Sequence, residues 1–408
     1  VQGAPRGGVA EEKRDMTCSS QRPVVTALIS TYNARQFFAG CMEHVLGQTL
    51  FAQGRLEVIV IDSGSQQGEA QLAREYAARD CGITVIETQR ETLYAAWNRG
   101  VERARGRYIV NANTDDRHHP QAFERMAQKL GETGAALCYA DAYLTREPGA
   151  DFSGALPEIV LALPSYSLRQ ALLDCPFGPV TMWRADVHEV AGPFPEDLGI
   201  AGDYAFFLKA AWRRGAVHLP QPLAVCYESA QTLSGNTPAA VGEGYAFLPA
   251  LRRRIPLEDI YPFLAQSPQA RHVALADLAD LLLFAGGGFS DPDHAVELYA
   301  AARAAGASAF ATMLNTAVAH AKAGRMDAAL QGFAALTPQS RDEQRLVVHN
   351  LQCIRQGAPV WRMATVRTEH PLLETLPPIV PLSQRRLTRA AYAVRSQESA
   401  AASERGQA

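Results

Sequence analysis

Arg107-Tyr108-Ile109-Val110-Asn111-Ala112-Asn113-Thr114-Asp115-Asp116 is a short apolar run that ends in two adjacent carboxylates, and Arg117-His118-His119-Pro120 follows at once. The apolar tetrad reads as a buried strand. Adjacent acids at its carboxyl end carry a desolvation cost that a cation relieves. In an α/β sheet that same edge is where ligands bind. Asp115 and Asp116 are therefore the candidate metal–diphosphate site.

The flanking sequence decides what kind of sheet holds that strand. Val24-Val25-Thr26-Ala27-Leu28-Ile29 is a β-branched run closed by Ser30-Thr31-Tyr32-Asn33. Leu56-Glu57-Val58-Ile59-Val60-Ile61 is a second, closed by Asp62-Ser63-Gly64-Ser65, and Ile83-Thr84-Val85-Ile86 is a third. Helical spacing over 37–50, 70–79 and 94–104 separates them. This alternation predicts an α/β, doubly wound, mostly parallel sheet. Its near-continuous apolar strands fit a sheet covered on both faces. Beyond the acids the pattern predicts a helix over 120–131 and a strand over 136–140 ending at Asp141. Irregular sequence follows to about 179, then a strand over 180–183 and a helix over 203–214 after Gly199-Ile200-Ala201-Gly202.

At 408 residues the chain has length for two or three domains. Its formal net charge of -3 argues against nucleic acid as a partner. Seven scattered cysteines with no C-x-x-C suit reduced thiols in a cytoplasm. No apolar run reaches the ~20 residues of a membrane span. The first twenty residues lack the apolar core of a secretory signal. The expected location is cytoplasmic, with the inner face of the membrane as a peripheral alternative. The expected organisation is a disordered leader over 1–21, an α/β domain over 22–245, a linker over 246–268, a helical domain over 269–357 and a tail over 358–408. Within the helical region, residues 315–333 resemble a tetratricopeptide helix–turn–helix, with small residues at the crossing and Gly324 at the turn. A poorer copy over 278–304 leaves a plain helical bundle as the alternative. Arg385, Arg386, Arg389 and Arg395 mark the tail as a solvated basic segment or a membrane-surface contact.

Four segments converge in order and spacing: Ser30 to Asn33, Asp62 to Ser65, Thr114-Asp115-Asp116, and Asp203 after Gly202. Ala96-Trp97-Asn98-Arg99-Gly100 and Gly192-Pro193-Phe194-Pro195-Glu196 lie between them. On these segments residues 22–230 resemble the family 2 glycosyltransferases with the GT-A fold, of the type whose metal motif reads Thr-Asp-Asp. The resemblance implies inverting transfer of a sugar from a nucleotide-diphosphate donor to a hydroxyl acceptor. It implies Asp116 as direct ligand of Mn²⁺ or Mg²⁺, with Asp115 toward the ribose or a metal-bound water. Such a hard cation would neutralise the departing diphosphate. It further implies Asp62 and Tyr32 at the base and ribose, with Ser30, Asn33, Ser63 and Asn98 completing the nucleotide-sugar site. Asp203 takes the general base's place, removing the acceptor proton. Ser63 stands where the family often has a second acid, and Gly202 where it has a Glu.

His118 and His119 read as a solvated turn or as phosphate or metal contacts, Trp97 as core and Trp183 as structural. The acceptor is left open between a glycan, a lipid-linked carrier and a protein. The helical region is expected to bind a protein partner, the acceptor or a second copy of itself. Two alternatives remain at this point. A nucleotidyltransferase would want a Gly-rich basic loop after the first strand, where this chain has Tyr32-Asn33-Ala34-Arg35. A non-catalytic scaffold would act through the helical region.

Overall fold

The computed structural model describes residues 22–229, 237–284, 289–357, 361–364 and 370–406. The leader expected over 1–21 lies outside the described residues. The β-branched runs form β1 (Val25–Thr31), β2 (Leu56–Asp62), β3 (Ile83–Glu87) and β4 (Tyr108–Asn111). Then come β5 (Arg117–His118), β6 (Leu137–Thr145), β7 (Ile159–Leu161), β8 (Val180–Arg184), β9 (Ala216–Tyr227) and β10 (Arg386–Thr388). They make one sheet in the order β3-β2-β1-β4-β8-β6-β7-β10, with β9 along β6 and β5 on β9.

The first four strands are mutually parallel, so their carboxyl ends share one edge. β8 joins β4 antiparallel, which makes the sheet mixed beyond that point. The chain lays β2 and β3 to one side of β1, then returns to place β4 on the other. That reversal opens a crevice at the strand ends, the position at which open α/β sheets bind ligands. Helices Arg35–Leu46 and Ala122–Thr133 bury Phe38, Val45, Phe123 and Met126 against Val25, Val58 and Val110 on one face. On the other face, helices Leu93–Arg103 and Gly202–Arg214 pack Trp97 and Phe206 into a cluster with Leu28, Ile59 and Ile109.

Four expectations are corrected. β6 does not end at Asp141 but runs through it, with register shifts against β9 on both sides of that residue. Pro220 and Pro222 of β9 fall at this irregularity, where a strand tolerates proline. They also disguise β9 in the sequence. The stretch 246–268 is no loose linker: it completes helix Thr237–Arg254 and forms the short helices Leu257–Ile260, Pro262–Ala265 and Pro268–Ala270. Its Leu248, Leu251, Ile255, Tyr261 and Leu264 are buried in the cluster that begins on the sheet. Pro262 and Pro268 here sit at first-turn positions, which suit proline.

The basic tail is solvated only in part: Arg386 and Arg389 are exposed, but Arg385 is not. β10 pairs antiparallel with β7, and Arg385 is buried against Asp174 at 2.5 Å while donating to the Cys175 carbonyl at 2.9 Å. Tyr392 donates to Asp141 Oδ2 at 2.7 Å, fixing helix Arg389–Gly406 to the sheet. The cysteines are not all thiols: Cys41, Cys138, Cys175, Cys226 and Cys353 are free, but Cys81 is disulfide-bonded. Beyond residue 270, helices Arg271–Leu283, Pro292–Ala304, Ala309–Lys322, Met326–Ala334 and Arg341–Gln356 follow in sequence. No helix among the described residues is long and apolar enough to cross a membrane.

Candidate functional site

β1 and β2 deliver their terminal turns side by side, with Thr31 in register with Asp62. Asn33 adopts a left-handed backbone (φ 51°), and its Oδ1 accepts from the Gln66 amide at 2.8 Å. Asp62 Oδ1 accepts from the Ser65 amide at 2.8 Å across Gly64, whose φ of 76° favours glycine. Ser63 is buried and donates its amide to the Thr31 carbonyl at 3.0 Å. Ser30 Oγ accepts from Trp97 Nε1 at 3.2 Å, and Trp97 is core as expected. Tyr32 is exposed, with the Arg90 guanidinium 3.8 Å over its ring. Arg90 and the buried Glu69, whose Oε1 accepts from the Ala34 amide at 2.6 Å, carry no motif that marks them in the sequence.

Several buried atoms along this edge have no hydrogen-bond partner among the described residues: Thr31 Oγ1, Asp62 Oδ2, Glu69 Oε2 and Asn111 Oδ1. Buried polar atoms are nearly always satisfied, so a cluster of orphans at a crevice marks where a ligand's groups belong.

The acidic turn is built by its own asparagines. Asn113 Nδ2 donates to Asp116 Oδ2 at 2.9 Å, the Asp116 amide returns to the Asn113 carbonyl at 3.1 Å, and Asn111 Nδ2 reaches Asn113 Oδ1 at 3.3 Å. Arg117 donates to the carbonyls of Thr114 and Asp116, both at 2.8 Å, and of Phe37 at 3.1 Å. Burial, then the neighbouring Asp115 charge, pushes the Asp116 carboxyl up to about 7 against the opposing pull of Asn113, Cys226 and Arg117. Burial likewise raises Asp115. Two carboxyls held this way favour a positive ion beside them. Among the described residues no three His, Cys, Asp or Glu side chains converge as a metal cage. An ion held by one or two carboxylates, with the rest of its shell from phosphate and water, is what Mg²⁺ tolerates.

His118 is not in a solvated turn. β5 pairs it with β9, its ring is buried 5.0 Å from that of Phe123, and burial lowers its pKa to about 3. His119 is part-buried and accepts from the Gln121 amide at 3.1 Å.

Helix Leu93–Arg103 joins this edge to Asp203. Trp97 reaches Ser30, while Tyr94, one turn earlier on the same face, reaches the other side. Its hydroxyl donates to the Ile200 carbonyl and lies 3.1 Å from Asp203 Oδ1. Asp203 Oδ1 also accepts from the Tyr204 amide at 2.7 Å. Burial lifts the Asp203 carboxyl to about 6, opposed by these hydrogen bonds. A Cβ on Gly202 would lie 2.6 Å from the Tyr94 ring, so the absent Glu leaves the space Tyr94 fills. Asn98 faces the Gly192–Glu196 segment rather than the crevice. It exchanges hydrogen bonds with the Phe194 backbone at 2.9 and 3.0 Å and donates to Glu196 Oε1 at 2.8 Å. Sequence reasoning missed Tyr94 and also Glu243, whose carboxylate meets the amides just before Gly202. Tyr94 sits four residues before the Asn of the Ala-x-Asn motif, a spacing that could have shown it; Glu243 has no such signal.

Residues 26–176 match the family Glycosyl transferase family 2. Glycosyltransferase AglE of Haloferax volcanii is 29% identical over 188 residues, which are 45% of this chain and 60% of that protein. The chain thus spans under two thirds of that relative's length. Among solved structures, Staphylococcus aureus TarS 1–349 in complex with UDP-GlcNAc is 15% identical, with a TM-score of 0.48 over 82% of this chain and 92% of that one. Mannosyltransferase PcManGT of Pyrobaculum calidifontis, with GDP-Man and Mn²⁺, is 19% identical, with a TM-score of 0.46 over 78% and 89%.

Proposed function

We propose that this chain, with its family 2 glycosyltransferase match over residues 26–176, moves a sugar from a nucleotide-diphosphate donor to a hydroxyl of a glycan acceptor, with inversion. The observation that carries the reading is the shared edge. Orphaned Asp62 Oδ2 and Asn111 Oδ1 lie at the carboxyl ends of the parallel strands β2 and β4, and Asn111 leads through Asn113 to Asp116 in the acidic turn that follows β4. Asp62, with Tyr32 and Arg90 at the mouth, is suited to the nucleoside. Ser30, Asn33 and Ser63 shape the turns around it. Asp116, assisted by Asp115, would hold Mn²⁺ or Mg²⁺, which neutralises the departing diphosphate. Asp203, raised by burial, is suited to accept the acceptor's proton. Asn98 acts in this reading by holding the Gly192–Glu196 segment in place.

The helical region is read as tetratricopeptide-like. Gly324 turns with φ 77°, and a Cβ on Gly332 would lie 2.9 Å from Ala317, the close crossing that small residues permit. Placement in the cytoplasm or at the inner membrane face would be by peripheral contact.

The test is a thermal-shift series with nucleoside diphosphates, with and without Mn²⁺, followed by transfer assays on Asp116→Ala and Asp203→Ala. A metal-dependent shift with one nucleotide is expected in the parent protein. Each variant should lose transfer by at least roughly 100-fold. Full activity in either variant sinks that residue's role, and no shift with any nucleotide sinks the donor reading.

A further inference from the structure

The loop Gly199-Ile200-Ala201 enters helix Gly202–Arg214 with its backbone N–H groups turned toward one carboxylate. Gly199 donates to Glu243 Oε1 at 2.8 Å, and Ile200 and Ala201 donate to Oε2 at 2.8 and 2.7 Å. Hydrogen bonds from amides to an ionised acceptor are short and about twice as strong as neutral ones. The carboxylate also lies at the positive end of the helix dipole. Burial opposes its ionisation, yet the three amides hold the Glu243 carboxyl below its ordinary range.

The grip extends to Asp203. Ile200, whose amide Glu243 holds, presents its carbonyl to the Tyr94 hydroxyl, and that hydroxyl lies 3.1 Å from Asp203 Oδ1. The other end of the clamp is equally fixed. Helix Thr237–Arg254 passes so close to Phe289 that a Cβ on Gly244 would lie 2.3 Å from its ring. Arg252, on the same helix, donates to the carbonyls of Leu172 and Phe289, both at 2.9 Å.

We propose that Glu243 is a positioning residue for the transfer reaction: it fixes the Gly199–Ala201 loop and, through Ile200 and Tyr94, the aim of Asp203. The inference rests on Asp203 serving as the base. It extends the catalytic geometry, which already leaves residues 26–176 at Asp203, to a helix anchored to the C-terminal region.

Titratable groups face Asp203 from three elements: Tyr94 from helix Leu93–Arg103, Cys175 from the loop before β8, and Glu243 from helix Thr237–Arg254. Of these, Glu243 carries the negative charge at neutral pH. Glu243→Gln removes that charge and turns one accepting oxygen into a donor facing amides. The loop should loosen and Asp203 should ionise more readily. Expected are a kcat lower by roughly 10-fold at pH 8, an unchanged donor KM, and an acid limb of the rate profile moved to lower pH. Glu243→Asp, which keeps both oxygens and the charge, should return the acid limb toward the parent's. Parent kcat with the parent acid limb in Glu243→Gln overturns the proposal. So does a lower kcat with an unmoved limb and a lower Tm, which would mark a merely structural role. An active Asp203→Asn enzyme would instead overturn the base assignment. An inactive Asp203→Asn beside an unaltered Glu243→Gln overturns Glu243 alone.

Discussion

As the base of the proposed reaction, Asp203 would hold two opposed requirements in one side chain: it would have to lose its proton to act, and burial resists that loss. Its carboxyl is lifted from 3.8 to about 6. A carboxyl raised in the fold contributes stability that is complete below its ordinary pKa and is lost as pH rises through the raised value. In the proposed function the same titration would switch on the base. Transfer should therefore rise as pH climbs through about 6, while this residue's share of stability falls. Asp203→Asn keeps the shape of the protonated acid without the ionisation. It should melt a few degrees above the parent at pH 8 and converge with it below about pH 4, with transfer abolished. Calorimetry at several pH values checks this, and a less stable Asp203→Asn at pH 8 would contradict it. Asp62 and Asp203 stand out in the sequence because one closes a strand and the other opens a helix, and Asp116 because it ends the acidic turn after β4, where the one-dimensional pattern has an edge. Tyr94, Glu69 and Glu243 do not, because what defines them is the far end of a hydrogen bond.

Helix Leu93–Arg103 shows why the site holds together. One of its faces carries Tyr94 to the Asp203 loop, Trp97 to Ser30 and Asn98 to the Phe194 backbone. Its periodicity was readable, but which neighbour each side chain meets was not. The C-terminal strap is the opposite case. Three residues are too short for β10 to show a period, and its partner β7 lies more than 200 residues earlier. Its basic residues read as solvent-seeking, yet Arg385 is buried with Asp174, Cys175 and Val380 around its guanidinium. Burial raises the Asp174 carboxyl, so the arginine charge is what keeps the pair acceptable there. Arg385→Ala should strip that compensation and cost about 3–5 kcal/mol, the range for breaking a buried pair from one side. Urea unfolding measures it, and Asp174→Leu with Arg385→Met should recover much of the loss. A change under about 1 kcal/mol for Arg385→Ala would show the strap to be dispensable.

Across the whole molecule a single apolar cluster runs from Leu28 and Ile59 on the sheet through Phe206, Leu251 and Tyr261 to Leu282 and Phe333 in the helical region. Composition suggested a boundary near residue 245, where β-branched runs give way to the Ala- and Leu-rich sequence of 269–357. Pro262 and Pro268 begin short helices, Pro256 caps another, Pro249 lies within helix Thr237–Arg254, and Arg252 is buried on two carbonyls. A second lock crosses the same junction. Arg169, beside the sheet, meets Asp277 through Nε at 2.6 Å and Nη2 at 2.7 Å, and Tyr261 donates to that carboxylate at 2.6 Å. Cutting the chain at 245 would expose the apolar surface that Leu248, Leu251, Ile255 and Leu264 cover and strip Asp277 from Arg169. Hydrophobic surface is worth about 25 cal/mol per Å², while a domain's net stability is only about 5–15 kcal/mol. The fragment 22–245 should therefore aggregate or lack a cooperative melt, while the full chain unfolds in one transition. It should also lose transfer with its donor-site motifs intact, since Glu243 then ends the chain two residues from its terminus instead of being held by a full helix. A fragment 22–245 that is monomeric, melts sharply and transfers sugar at the parent rate would show that the C-terminal helices add neither fold nor geometry to the site.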